Sequence, residues 1–180
     1  ILRRSELEIV FRKIVESWPL FTRFPSRTLE NNITQPFVAL LSRTAEKENW
    51  RFDFYYRDKF AQDDSPVERG EGDIVVRPYP GARSRHGFVF ECKRLNVTYK
   101  SGFSDDADRY VGGEGMGEFL SGKYDLNQSD GGMLGYVMDN RISRAQTAIN
   151  RQLAKKSTNL KLSPPAELVP APFADEVTRV

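Results

Sequence analysis

The chain has 180 residues, 39% of them apolar and 12% aromatic, which suits one domain with a single core and argues against a second full domain. Its one cysteine excludes a disulfide framework and a four-cysteine zinc or iron–sulfur site. With no cleavable signal pattern and no run of about 18 apolar residues, the expectation is an intracellular, cytoplasmic protein without a membrane segment. The net charge of +2 conceals a segregation. Six Lys/Arg and no acid stand between Arg141 and Ala166, just after a cluster of Asp105, Asp106, Asp108, Glu114 and Glu118. That basic end is a candidate phosphate-contacting surface, and a solvated helix face is the plainer alternative. The chain opens on Ile1 rather than Met, as a trimmed chain or a piece of a longer one would.

In chain order, Ser5-Glu6-Leu7-Glu8 reads as a capping box, and Leu7, Val10, Phe11, Ile14, Val15 and Trp18 follow helical spacing up to Pro19. Prolines punctuate Phe21 to Arg27. Leu29, Ile33, Phe37, Leu40 and Leu41 then recur at helical spacing to about Glu48, with Pro36 arguing for a start or a kink near that point. Trp50, Phe52, Phe54 and Tyr56 alternate with polar or exposed partners, the period of a strand with one buried face. Asp58 to Gly72 reads as a polar loop, and strands Asp73 to Arg77 and Gly87 to Leu95 follow, separated by a turn-rich stretch that holds Arg83, Arg85 and His86. Three successive strands predict a meander.

Asn96 to Ser104 reads as a loop. Asp105 to Leu120 is expected to be helical, although Gly112, Gly113, Gly115 and Gly117 each cost about 1 kcal/mol there and could instead mark close backbone packing. Gly131 to Met138 reads as a fourth strand, and Ile142, Ala145, Ile149 and Leu153 define a last helix to about Lys156. The order is α, β, β, β, α, β, α. Residues 161–180 hold Pro164, Pro165, Pro170 and Pro172, which favours an extended tail.

Chemistry concentrates in Phe88 to Leu95, because an apolar strand does not ordinarily carry an acid and a base two residues apart in its middle. Side chains at i and i+2 share a face, about 7 Å apart, so Glu91 and Lys93 stand beside Val89 while Phe88, Phe90 and Cys92 take the other side. Asp73 heads the preceding apolar run, and two strands could bring Asp73, Glu91 and Lys93 to one point. That is the outline of a metal-dependent phosphodiesterase site. Mg²⁺ prefers oxygen ligands and is commonly held by one or two carboxylates plus phosphate and water, with Mn²⁺ as a substitute. Asp73 and Glu91 would supply the carboxylates, the Cys92 backbone carbonyl a third ligand, and Lys93 a cation for the attacking water or the scissile phosphate. The plainer reading is a Glu91–Lys93 ion pair, which in a buried strand costs several kcal/mol of desolvation. The chain holds one (Asp/Glu)-x-Lys, and it falls in this strand.

These residues resemble the PD-(D/E)xK nuclease superfamily, with Asp73 matching the first motif and Glu91-Cys92-Lys93 the second. Gly72 stands where a proline is often found before the aspartate. The resemblance spans roughly Leu29 to Met138 and implies an α/β (α+β) chain with the restriction-endonuclease-like αβββαβ core, a mixed central sheet flanked by helices. Residues 1–160 would then form one nuclease-like domain with an extra N-terminal helix over residues 5–18. Many members carry a glutamate on the helix before the first strand, which points to Glu30; Glu46 and Glu48 lie at the far end of that helix. The resemblance also implies an endonuclease acting on DNA in preference to RNA, in phage defence, repair or recombination, as a homodimer or within a multi-protein system. Backbone phosphates would fall to Arg83, Arg85, Arg94, Lys100, Arg144 and Arg151. A catalytically inactive nucleic-acid- or protein-binding module on the same fold, or an RNase, is the alternative.

Overall fold

The computed structural model describes residues 4–21, 24–61, 68–78, 87–124 and 131–169. Helix α1 (Arg4–Ser17) runs into a short 3₁₀ turn at Trp18–Leu20, where Pro19 removes an amide and ends the helix. Because α1 already includes Arg4, Ser5 sits within its first turn and is not the cap that its position before Glu8 suggested. Helix α2 (Glu30–Lys47) passes straight through Pro36, neither starting nor ending there. Pro36 and Asn32 are both exposed, so the Asn32 carbonyl that loses its helical donor faces water.

A four-stranded sheet follows in the order β1 (Phe52–Ala61), β2 (Glu68–Pro78), β3 (Phe88–Leu95), β6 (Gly132–Val137). The first three strands form the expected antiparallel meander, and β6 returns parallel to β3. The sheet is therefore mixed and flanked by helices. The polar stretch read as a loop is largely strand: β1 continues to Ala61 and β2 begins at Glu68, five residues before Asp73, which is mid-strand and not at its head. Cross-strand ion pairs of Arg57 with Glu71 and of Arg77 with Asp58 (2.6 Å) hold these polar arms together.

The segment after β3 also departs from the loop reading, forming a small hairpin of β4 (Val97–Tyr99) and β5 (Gly102–Ser104). The glycine-rich stretch is not one helix. It makes two short ones, α3 (Ala107–Val111) and α4 (Met116–Leu120), with a turn between them. A Cβ on Gly115 would run into the carbonyls of Tyr110 and Arg109, the second at 2.6 Å, so close backbone packing explains that glycine. Helix α5 (Ile142–Lys156) falls where its spacing predicts. Of the proline-rich end, residues 170–180, with Pro170 and Pro172, lie outside the described residues.

The two faces of the sheet bury different things. Ile74, Val76, Phe88, Phe90 and Cys92 join Ile33, Phe37, Val38 and Leu41 of α2 and Val10 and Ile14 of α1 in the larger core. Phe37 and Phe90 are wholly buried there, each contributing about 2–3 kcal/mol. On the opposite face, Leu95 packs with α3 and α5, while Val75 and Val89 pack beneath Tyr124 and Phe119. Between these two smaller clusters, on the same face of β3, stand Glu91 and Lys93. Among the described residues no helix is long and apolar enough to cross a membrane.

Candidate active site

Pairing of β2 with β3 runs from Val76–Phe88 through Val75–Val89 to Ile74–Phe90 and goes no further. One more step of that register would set Asp73 opposite Glu91. Instead the strands part, and the backbone amides of β3 that would have faced β2 take carboxylates. The Cys92 amide donates to Oδ2 of Asp73 at 2.9 Å, and the Arg94 amide donates to Oε2 of Glu30 at 3.1 Å. Alternate amides of a strand point to the same neighbour, so two acids from β2 and α2 replace two rungs of the ladder. Glu30 reaches this point because it opens α2, whose buried face packs over β3.

Lys93 lies at the centre. Its Nζ donates to Oε1 of Glu91 at 2.9 Å, to the Cys92 carbonyl at 2.8 Å and to Oε1 of Glu30 at 3.4 Å. Glu91 and Lys93 are 5% and 6% exposed, which makes this a desolvated cluster and no surface pair. Burial pulls the ammonium down, but Glu91 and Glu30 outweigh it and raise its pKa. Asp73 is the acid most strained by the arrangement. Burial and the neighbouring Glu91 charge push its carboxyl up to about 6, against the stabilising Cys92 amide.

The second oxygen of Glu91 is also engaged, by the hydroxyl of Tyr124. Nothing in the residues around Tyr124 signals this, since it follows a glycine-rich turn and meets β3 only through the fold. Burial, then the bond to Glu91, holds that phenol well above its ordinary pKa. Tyr110 lies in the α3–α5 core and Lys123 pairs with Glu118 at 3.2 Å.

The donors fit a hard divalent cation. Asp73 and Glu91 are carboxylates side by side on one face, and a cation would relieve the repulsion that raises Asp73. The Cys92 carbonyl, expected as a third ligand, already accepts from Lys93, so its use requires that ammonium to turn away. Among the described residues no three His, Cys, Asp or Glu side chains are grouped so as to hold a metal ion unaided. A cation here would rely on two carboxylates, a carbonyl and water. The Cys92 thiol points to the opposite face, where Tyr136 donates to it at 3.4 Å. Glu48 accepts from Trp50 at 2.8 Å, away from this cluster.

The expected phosphate contacts divide. Arg94 is held inward, its guanidinium donating to the Thr28 carbonyl at 3.0 Å and lying over the Tyr99 ring. Lys100 is exposed at the β4–β5 turn. Arg144 is exposed, with its guanidinium 3.7 Å from the Phe103 ring centre. Arg151 is bound to Asp105 at 2.6 Å, and the next cation along α5 that faces α3, Lys156, to Asp108 at 2.7 Å. Part of the basic run thus neutralises the acidic cluster that precedes it. Arg83, Arg85 and His86 lie outside the described residues. No family model, no curated protein and no solved structure matches the chain.

Proposed function

We propose that this chain is a metal-dependent nuclease that hydrolyses phosphodiester bonds, DNA in preference to RNA, on a restriction-endonuclease-like core formed by α2, β1, β2, β3, the α3–α4 pair and β6. The reading rests on one observation: Asp73, Glu91, Lys93 and Glu30, from three separate elements, converge where β2 and β3 part. Asp73 and Glu91 are the residues that would hold Mg²⁺ or Mn²⁺. When bound, such a cation activates water and neutralises charge developing on the phosphoryl oxygens.

The chain's own residues supply the rest. Lys93 holds its proton throughout the neutral range and presents it, from a desolvated position, to a phosphate oxygen or the attacking water. Glu30 shares Lys93 with Glu91, which gives the ammonium a partner to keep as it turns from Glu91 toward substrate. A specific observation favours a second reading, a non-catalytic module: Lys93 and Tyr124 already satisfy both oxygens of Glu91.

One experiment separates them. The protein is incubated with supercoiled plasmid, linear duplex, single-stranded DNA and RNA, in Mg²⁺, Mn²⁺ or EDTA, beside Asp73→Ala and Glu91→Gln. Cleavage that needs metal and is lost in both variants is expected. Metal-independent cleavage, or full activity in either variant, overturns the assignment. An inert wild-type chain that still binds duplex favours the module.

A further inference from the structure

We infer that Tyr124 is a positioning residue for Glu91, and that the segment carrying it is docked on the sheet for that purpose; the inference rests on the reading of Glu91 as a metal ligand. Three observations lead to it. The Tyr124 hydroxyl donates to Oε2 of Glu91 while Lys93 holds Oε1. The phenol is 3% exposed, so its hydroxyl meets the carboxylate in a desolvated setting where a charge-assisted bond is strong. The ring is fixed from several sides, packed with Val75 and Val89, 5.1 Å from the Phe119 ring centre, and under the Lys123 ammonium.

The docking is built into β2. The Gly70 amide donates to the Lys123 carbonyl at 2.8 Å, tying the residue before Tyr124 to the strand that also carries Asp73. A Cβ on Gly70 would stand 2.9 Å from that same carbonyl and overlap the Lys123 side chain. Only a residue without a side chain lets the segment lie so close. Gly70 and Asp73 thus anchor, from one strand, both the partner of Glu91 and its fellow carboxylate.

The two holds on Glu91 differ in kind. Lys93 is an ammonium shared among three acceptors, Glu91, Glu30 and the Cys92 carbonyl, and can exchange one for another. Tyr124 sits on a ring locked by packing. When Lys93 turns toward substrate, Oε1 is released and Oε2 remains fixed, so Glu91 presents one defined oxygen. Partners of this kind around a ligating side chain are commonly worth about 10–100-fold in metal affinity.

The test is Mn²⁺ titration by calorimetry of the full chain, with the electron paramagnetic resonance spectrum of the bound ion as a signature of how it is ligated. Glu91→Gln is expected to abolish binding. Tyr124→Phe keeps the ring and removes only the hydroxyl; it should weaken Mn²⁺ by about tenfold or more and alter the spectrum. Gly70→Ala, which displaces the segment with the tyrosine intact, should move both in the same direction, and it decides the matter if Tyr124→Phe does not unfold cooperatively. With binding dependent on Glu91, affinity within about twofold of wild type and an unchanged spectrum in the folded variants overturn the positioning role alone. Binding unaffected by Glu91→Gln, or absent from the wild type, overturns the metal reading and the positioning role with it.

Discussion

The Cys92 amide and the Asp73 carboxylate meet at 2.9 Å at the point where β2 and β3 cease to pair. One side chain therefore does two jobs: it satisfies a strand amide that has lost its neighbour, and it places a charge beside Glu91. These jobs conflict, because the amide favours the ionised form while burial and Glu91 oppose it, and opposition wins.

Asp73 should accordingly make metal-free stability depend on pH. Its folded pKa of about 6 lies above its ordinary value of 3.8, so its contribution is fully present below the latter and is lost as pH rises through the former. Asp73→Asn removes the charge and keeps an acceptor for the Cys92 amide. In EDTA, denaturant unfolding should find the variant more stable than wild type by about 3 kcal/mol near pH 8, converging near pH 4. A less stable variant at the higher pH would contradict this origin.

Lys93→Ala should cost more than activity. It leaves Glu91, 5% exposed, without its cation, and breaking a buried pair from one side costs about 3–5 kcal/mol. A cluster this desolvated does not let such a variant melt as wild type does. Adding Glu91→Gln to Lys93→Ala should recover part of the loss, and a double variant less stable than the single one would show that the pair is not the cause.

Two nearby glycines should respond unequally to alanine. At Gly115 the new Cβ meets two backbone carbonyls, and overpacking of that kind costs about 1–3 kcal/mol. At Gly113 nothing lies within 4 Å of it, so Gly113→Ala should fall within about 0.5 kcal/mol of wild type. Thermal unfolding of the pair checks the contrast, and equal effects would refute it.

The arginines and lysines assigned to phosphates should separate by assay. Arg94→Ala should lower stability by about 1–2 kcal/mol through the lost bond to Thr28 and the lost stacking on Tyr99. Lys100→Ala should leave stability unchanged and, on the proposed function, weaken duplex binding and reduce its salt dependence by about one phosphate. Fluorescence anisotropy over a salt series distinguishes them.

Elements whose apolar residues repeat were legible: α1, α2, β3, β6 and α5 lie within a residue or two of their expected bounds, because their apolar residues follow the faces they bury, both faces in the case of β3. The ends of β1 and β2 were not, since Asp58, Glu71 and Gly72 carry no apolar alternation and are held by pairing and by ions across the ladder. Convergence of Asp73, Glu91 and Lys93 could be anticipated from strand order, whereas Glu30 was suggested only by the resemblance. Tyr124 could not, because its contact with Glu91 depends on where a turn returns to the sheet. The outcome for Arg151 and Lys156 was hidden likewise: charge runs separate in sequence become partners only when α5 packs against α3.

The parted half of β3 carries one more consequence. Past Phe90 the strand has no β neighbour on the β2 side, and a strand edge whose amides lack partners is a template on which another chain can add a strand. Asp73 and Glu30 cap those amides with charge, which an incoming backbone can neither displace cheaply nor pair with. The acids proposed for chemistry are thereby also guards against self-association, and losing both should reveal itself first as aggregation.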